Sequence, residues 1–178
     1  MTLHEFGQNN KDVILLIHPS LVMWDYFEYV IPLLEDRYHL IVPAIPGYDE
    51  EDPGDFTSVE KIASSLADQL EEQGIREIAC MYGCSMGGSI VTRFLADRRT
   101  FDSCNNYKMP KAVRTNCGHI EYWYASAEEK ERKWDIEYFA KNLPQTIFRR
   151  FENIGHGGLA LLKPELLAAE IERIIGEE

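Results

Sequence analysis

An α/β fold with a mostly parallel sheet flanked by helices is the expectation for this chain of 178 residues, and three observations carry it. Short apolar runs alternate with helical patterns along the whole length, the signature of successive βαβ units. The run Val13–Ile17 is unbroken valine, isoleucine and leucine, as in a strand buried on both faces. A glycine-flanked turn at residues 83–87 joins an apolar run to an amphipathic one, so a strand leads directly into a helix there. With 45% hydrophobic and 27% charged residues the composition is that of a globular domain, and without repeats or low-complexity tracts residues 1–178 read as a single one.

The elements follow in order. Val13–Ile17 stops at His18-Pro19, and residues 24–34 then read as a helix. Residues 39–42 make a second short strand closed by the turn formers Pro43, Pro46 and Gly47, ahead of an acidic, solvated loop at 49–55. Thr57 and Glu60 form a T-x-x-E capping box before Val59, Ile62, Ala63, Leu66 and Leu70, and Gly74 supplies the stop. Residues 75–82 give the next strand, and 86–96 a helix that turns Ile90, Val91, Phe94 and Leu95 to the sheet. Further on, 120–124 and 146–151 are strand-like, 128–142 is helical, and 164–175 is a helix opening on Pro164, a residue suited to the first turn.

Charge and composition exclude several function classes. Lys plus Arg is 18 and Asp plus Glu 30, a net charge of −12 that repels phosphate backbones and anionic lipid, so neither nucleic acid nor a membrane surface is expected as a partner. The longest apolar run is far too short to span a bilayer and residues 1–12 carry no apolar signal segment, which reads as cytoplasmic. Cys80, Cys84, Cys104 and Cys117 lack paired metal-ligand spacing and read as free thiols.

The chemistry-bearing pattern is Gly83-Cys84-Ser85-Met86-Gly87, a G-x-S-x-G placed between a buried strand and an amphipathic helix. Small flanking residues permit a turn tight enough to push the serine hydroxyl out of the sheet, with the following helix dipole beneath a developing oxyanion. A serine needs a base and the base an orienting acceptor. His156, in the glycine-rich loop 153–158 after the last strand, is the best base; His4, His39 and His119 lie in or beside strands, and His18 ends the strand facing the turn. For the acid, Glu128 is preferred over its neighbour Glu129 and over Asp135, which lies further into the next helix and points away from the sheet's carboxyl edge. Cys84 should point away from the active face.

With these residues in place the chain resembles the α/β-hydrolase superfamily, whose order is nucleophile, acid, histidine; Ser85, Glu128 and His156 stand in that order. Ala125-Ser126-Ala127-Glu128 occupies the place of the family's G-x-x-D acid loop, with alanine for glycine and glutamate for aspartate. His18-Pro19-Ser20 occupies the place of the H-G-x oxyanion loop, so the resemblance implies the backbone N–H groups of Met86 and Ser20 as oxyanion donors and His18 as a loop organiser, since Pro19 has no N–H to give. Typical members carry a further strand and a lid between the helix after the elbow and the acid-bearing strand. Here the corresponding residues, 98–119, are polar and turn-rich, which implies a minimal, lidless version with a shallow, open site. If 120–124 paired directly beside 75–82, Glu128 and His156 would both shift toward Ser85 by roughly 4.8 Å, one strand spacing. If the place stayed open, exposed backbone would favour self-association.

Two functions follow. The first is a serine hydrolase cleaving a small ester or related acyl substrate through an acyl-enzyme, with no metal or organic cofactor required. The second is a catalytically silent, hydrolase-like binding module. Tyr122, Trp123, Tyr124, Trp134 and Tyr138 either line a pocket or, as aromatic groups more often do, pack the core and helices.

Overall fold

In the computed structural model, which describes residues 1–50, 54–96 and 119–176, six strands and six α-helices follow the α/β order. The strands are β1 (Leu3–Phe6), β2 (Val13–Ile17), β3 (His39–Pro43), β4 (Cys80–Gly83), β5 (Glu121–Ala125) and β6 (Ile147–Phe151). The helices are α1 (Ile31–Leu34), α2 (Val59–Glu72), α3 (Met86–Leu95), α4 (Lys133–Asn142), α5 (Gly158–Leu162) and α6 (Pro164–Gly176). Among the described residues no helix is long and apolar enough to cross a membrane. Cys104, Cys117, most of the 98–119 stretch and part of the acidic loop 49–55 lie outside them.

Every residue of β2 is buried, as its continuous apolar sequence demands, because β2 is central: it pairs in parallel with β3 on one side and β4 on the other. Antiparallel β1 closes the far edge in the order β1-β3-β2-β4. One face, Ile14, Leu16, Leu40 and Val42, packs with Phe27, Leu34, Leu167 and Ile171. The opposite face, Leu15, Ile17 and Ile41, packs with Ile62, Leu66 and Leu70 of α2 and Ile90 of α3. The alternation of the strand residues between two helical layers is the period-2 consequence of the pleat.

Strands β5 and β6 pair in parallel with each other as a second, two-stranded sheet. Among the described residues β5 has no pairing to β4, so the direct β4–β5 contact considered from the sequence does not form. The two pieces are bridged instead by side chains. Trp123 of β5 packs between Tyr82 of β4, with ring centroids 5.9 Å apart, and Phe151 of β6, at 5.2 Å. Helix α6 packs against β4 and ties itself to β5 through Arg173, whose Nη2 donates to Glu121 Oε1 over 2.7 Å, while Arg149 of β6 pairs with Glu170. Burial opposes ionisation of Glu121, but hydrogen bonds from His119, Arg173 and Trp123 outweigh it and hold the carboxyl below its ordinary range.

Four expected boundaries move, each for a local reason. The helix expected over 24–34 splits into a 3₁₀ turn, Trp24–Phe27, and α1, because Pro32 lacks the N–H that a continuous helix would donate back to Glu28 and is tolerated only in a first turn. The cap of α2 is Ser58 and not Thr57: Ser58 is the extended residue, and its Oγ accepts from the Lys61 N–H over 3.3 Å. The strand expected over 75–82 is paired only from Cys80, since its partner begins at Val13 and Ile14 already faces Cys80; Ile75 and Ile78 pack against the α2-side core instead. The helix expected over 128–142 begins as a 3₁₀ turn, Ser126–Glu128, and becomes α-helical only at Lys133. Short α5 lies in what reads as loop from the sequence.

Candidate active site

The strand-to-helix turn at Ser85 is tight in measurable ways. Ser85 has φ 51° and ψ −113°, a positive-φ conformation that a serine adopts only when its surroundings impose it. The surroundings are backbone: a Cβ on Gly87 would lie 2.1 Å from the carbonyl oxygen of Ile17, and one on Gly83 would lie 2.4 Å from that of Gly87. Both glycines of the G-x-S-x-G are therefore fixed by close packing, Gly87 on the end of β2 and Gly83 on the first turn of α3. Ser85 is left exposed, and Met86, at the first position of α3, presents an amide with no acceptor inside the helix.

Glu128 and His156 come together from separate elements. Glu128 ends the 3₁₀ turn after β5, His156 sits in the loop after β6, and the parallel register Ala125↔Phe151 sets those two loops side by side. Glu128 Oε1 lies 2.7 Å from His156 Nδ1, with the glutamate side chain 20% exposed and the imidazole 51% exposed. Arg132 lies 3.6 Å from the same carboxylate oxygen. The other two acid candidates are engaged elsewhere: Glu129 pairs with Arg150 at 3.1 Å, and Asp135 accepts from the Tyr122 hydroxyl at 3.0 Å and from Arg132 at 3.1 Å.

Ser85, Met86, Glu128 and His156 all line one open cleft of about 1970 Å³ that runs between β4 and β5. Among the described residues no hydrogen bond joins Ser85 to His156. Tyr122, Trp123, Tyr124 and Trp134 also border the cleft; Tyr138 instead stacks on Trp134, at 5.6 Å between ring centroids. Ser20 does not border the cleft. It lies on the neighbouring loop, since the register Ile17↔Gly83 places the ends of β2 and β4 together.

His18 organises that loop. Fully buried, it donates from Nδ1 to the Pro19 carbonyl over 2.8 Å and accepts at Nε2 from the Ile45 N–H at 3.4 Å, which uses both ring nitrogens of the neutral imidazole. Burial depresses its pKa, although the Pro19 carbonyl and the Asp25 charge oppose the shift. Because the folded-state pKa is the lower one, the unfolded chain binds a proton that the native state refuses once pH falls below about 6.5, at up to roughly 1.4 kcal/mol per pH unit. Stability should therefore be full above that pH and decline as pH drops through the window beneath it. Denaturant melts of the wild type and of His18→Gln from about pH 7.5 to about pH 5.5 check this: the wild-type midpoint should fall faster, and parallel curves would assign the decline to other groups.

Beside the serine, Cys84 is buried and its thiol is pushed up by burial, with the Tyr26 hydroxyl opposing and the Glu128 charge reinforcing the rise. It stays a protonated thiol at neutral pH, and instead of pointing away from the active face it borders the cleft with Sγ toward Gly157. Two neighbours of the site, Tyr26 and α5, were not singled out by sequence. Tyr26 carries no motif, and only its burial and its partners mark it.

The helix-covered, mostly parallel sheet matches a known fold at the level of sequence as well. The family model described as the alpha/beta hydrolase fold matches residues 12–114, more than half of the chain. This protein belongs to the alpha/beta hydrolase fold family. Solved structures of the same fold include an alpha/beta hydrolase family protein from Desulfitobacterium hafniense, at 16% identity and a TM-score of 0.81, with 98% of this chain and 100% of that one covered. A thermophilic esterase from Thermogutta terrifontis is similar at 15% identity and a TM-score of 0.75, covering 99% and 93%. The epoxide hydrolase CorEH is similar at 12% identity and a TM-score of 0.75, covering 98% and 94%. At such identities the likeness is one of alpha/beta hydrolase fold, and the chemistry has to be argued from the site.

Proposed function

We propose that this alpha/beta hydrolase family member is a serine hydrolase acting on a small ester or related acyl substrate, and the observation that carries the reading is the close pairing of Glu128 with His156, 2.7 Å apart, on the cleft that the strained Ser85 turn also borders. With Glu128 beside Nδ1, Nε2 of His156 is left to act as the acceptor. In the reaction Ser85 Oγ attacks the acyl carbon while its proton passes to His156 Nε2. The tetrahedral oxyanion is held by the N–H of Met86 and, from the adjoining loop, that of Ser20. Collapse breaks the bond to the leaving group, which takes the proton from His156. Water then attacks the acyl-enzyme with His156 again as base, releasing the acid and restoring the serine. The esterase structures that share this fold, from Thermogutta terrifontis and Exiguobacterium antarcticum among them, support an acyl substrate by analogy.

The test needs no guess of substrate. Intact-mass analysis after treatment with a fluorophosphonate, followed by peptide mapping, should find one adduct per chain on Ser85, and none in His156→Ala. A folded protein that takes up no label would overturn the reading in favour of a hydrolase-like binding module.

A further inference from the structure

The two loops that bear Ser85 and His156 meet at one buried hydroxyl. Tyr26, in the 3₁₀ turn Trp24–Phe27, is 4% exposed, and its Oη donates to the carbonyl of Gly157, the residue immediately after His156. On the other side stands Cys84, the residue immediately before Ser85. A Cβ on Gly157 would lie 3.4 Å from Tyr26 Oη and 3.6 Å from Cys84 Sγ, so hydroxyl, thiol and loop backbone crowd one point. Both Tyr26 and Cys84 remain protonated, because burial raises each above its ordinary range. Gly157 itself has φ 68° and starts α5, which packs on the same 3₁₀ turn, so this contact fixes the direction in which the His156 loop leaves the core.

We propose that Tyr26, seated on Cys84, is a positioning residue that sets the approach of His156 to Ser85. The inference rests on the reading of Ser85 as nucleophile and His156 as base. Its physical ground is that the acid–base bond fixes the imidazole only relative to Glu128. The distance to the serine, on a different loop, needs a separate link, and Tyr26 and Cys84, packed in one cluster against Gly157, span the two loops. A slip on the order of 1 Å in such a link costs up to about a hundredfold in rate.

The experiment compares wild type with Tyr26→Phe in the full chain, following both the rate and the end point of fluorophosphonate labelling, and kcat against KM on p-nitrophenyl acetate. Expected are a labelling rate and kcat lower by about ten- to a hundredfold, with KM and the end point of one label per chain unchanged. A role in stability alone would lower the end point, as a fraction of molecules unfolds, and leave the rate of the remainder intact; that result, or a wild-type rate, overturns the proposal. Should Tyr26→Phe not fold, Cys84→Ala and Cys84→Ser decide. The serine keeps an atom packed toward Gly157 and should label faster than the alanine, and equal rates count against the link. Failure of the underlying reading looks different, since the wild type itself then carries no label on Ser85 and the proposal falls with it.

Discussion

Ser85→Ala should lower kcat for p-nitrophenyl acetate by roughly 10⁵- to 10⁶-fold, and His156→Ala by a similar factor, because a nucleophile and its base act as one unit and the loss of either removes the acyl-enzyme route. The double variant should be scarcely slower than either single one. What remains, a few orders of magnitude over water, would come from the oxyanion donors and from binding. Folding should not change: an alanine at φ 51° meets the strain that the serine already bears, and the exposed hydroxyl makes no hydrogen bond among the described residues that its loss would break. Stopped assays with purified variants, alongside thermal melts, check both halves. A Ser85→Ala protein that retains its melting temperature and its turnover would place the activity elsewhere.

Glu128→Gln should cost about 10²- to 10⁴-fold in kcat with little change in KM. Glutamine preserves the size of the side chain and leaves an amide oxygen to accept from Nδ1, yet it has no charge to stabilise the imidazolium that forms as Ser85 attacks. Its amide nitrogen can also donate to Nδ1 and fix the wrong tautomer. The lower part of that range is expected here, because the imidazole is 51% exposed and solvent screens the missing charge. Glu129→Gln and Asp135→Asn are the informative controls, since Glu129 is held by Arg150 and Asp135 by Tyr122 and Arg132. A loss in either control equal to that in Glu128→Gln would remove Glu128 from the role of orienting acid.

What residue types and their spacing determined is considerable. Continuous apolar sequence made β2 a central strand, and the glycines around Ser85 required a turn so close that a Cβ on Gly87 of α3 would lie 2.1 Å from the Ile17 carbonyl oxygen at the end of β2. The short loops after the last two strands kept Glu128 and His156 as the candidates for acid and base. These features are local: burial on two faces and a positive-φ turn each leave their mark on a few consecutive residues.

The tertiary structure decided what depends on distant partners. Whether Glu128, Glu129 or Asp135 meets His156 follows from the register of β5 against β6, and which carboxylate an arginine already occupies is not written in any spacing. The length of β4 is set by where β2 begins, and the start of α2 by whichever hydroxyl residue takes the extended conformation, here Ser58. Tyr26 shows the limit most plainly. Nothing around it in the chain distinguishes it from a core aromatic, yet its hydroxyl reaches Gly157, 131 residues away, because the fold brings this donor to the half-buried carbonyl at the start of α5.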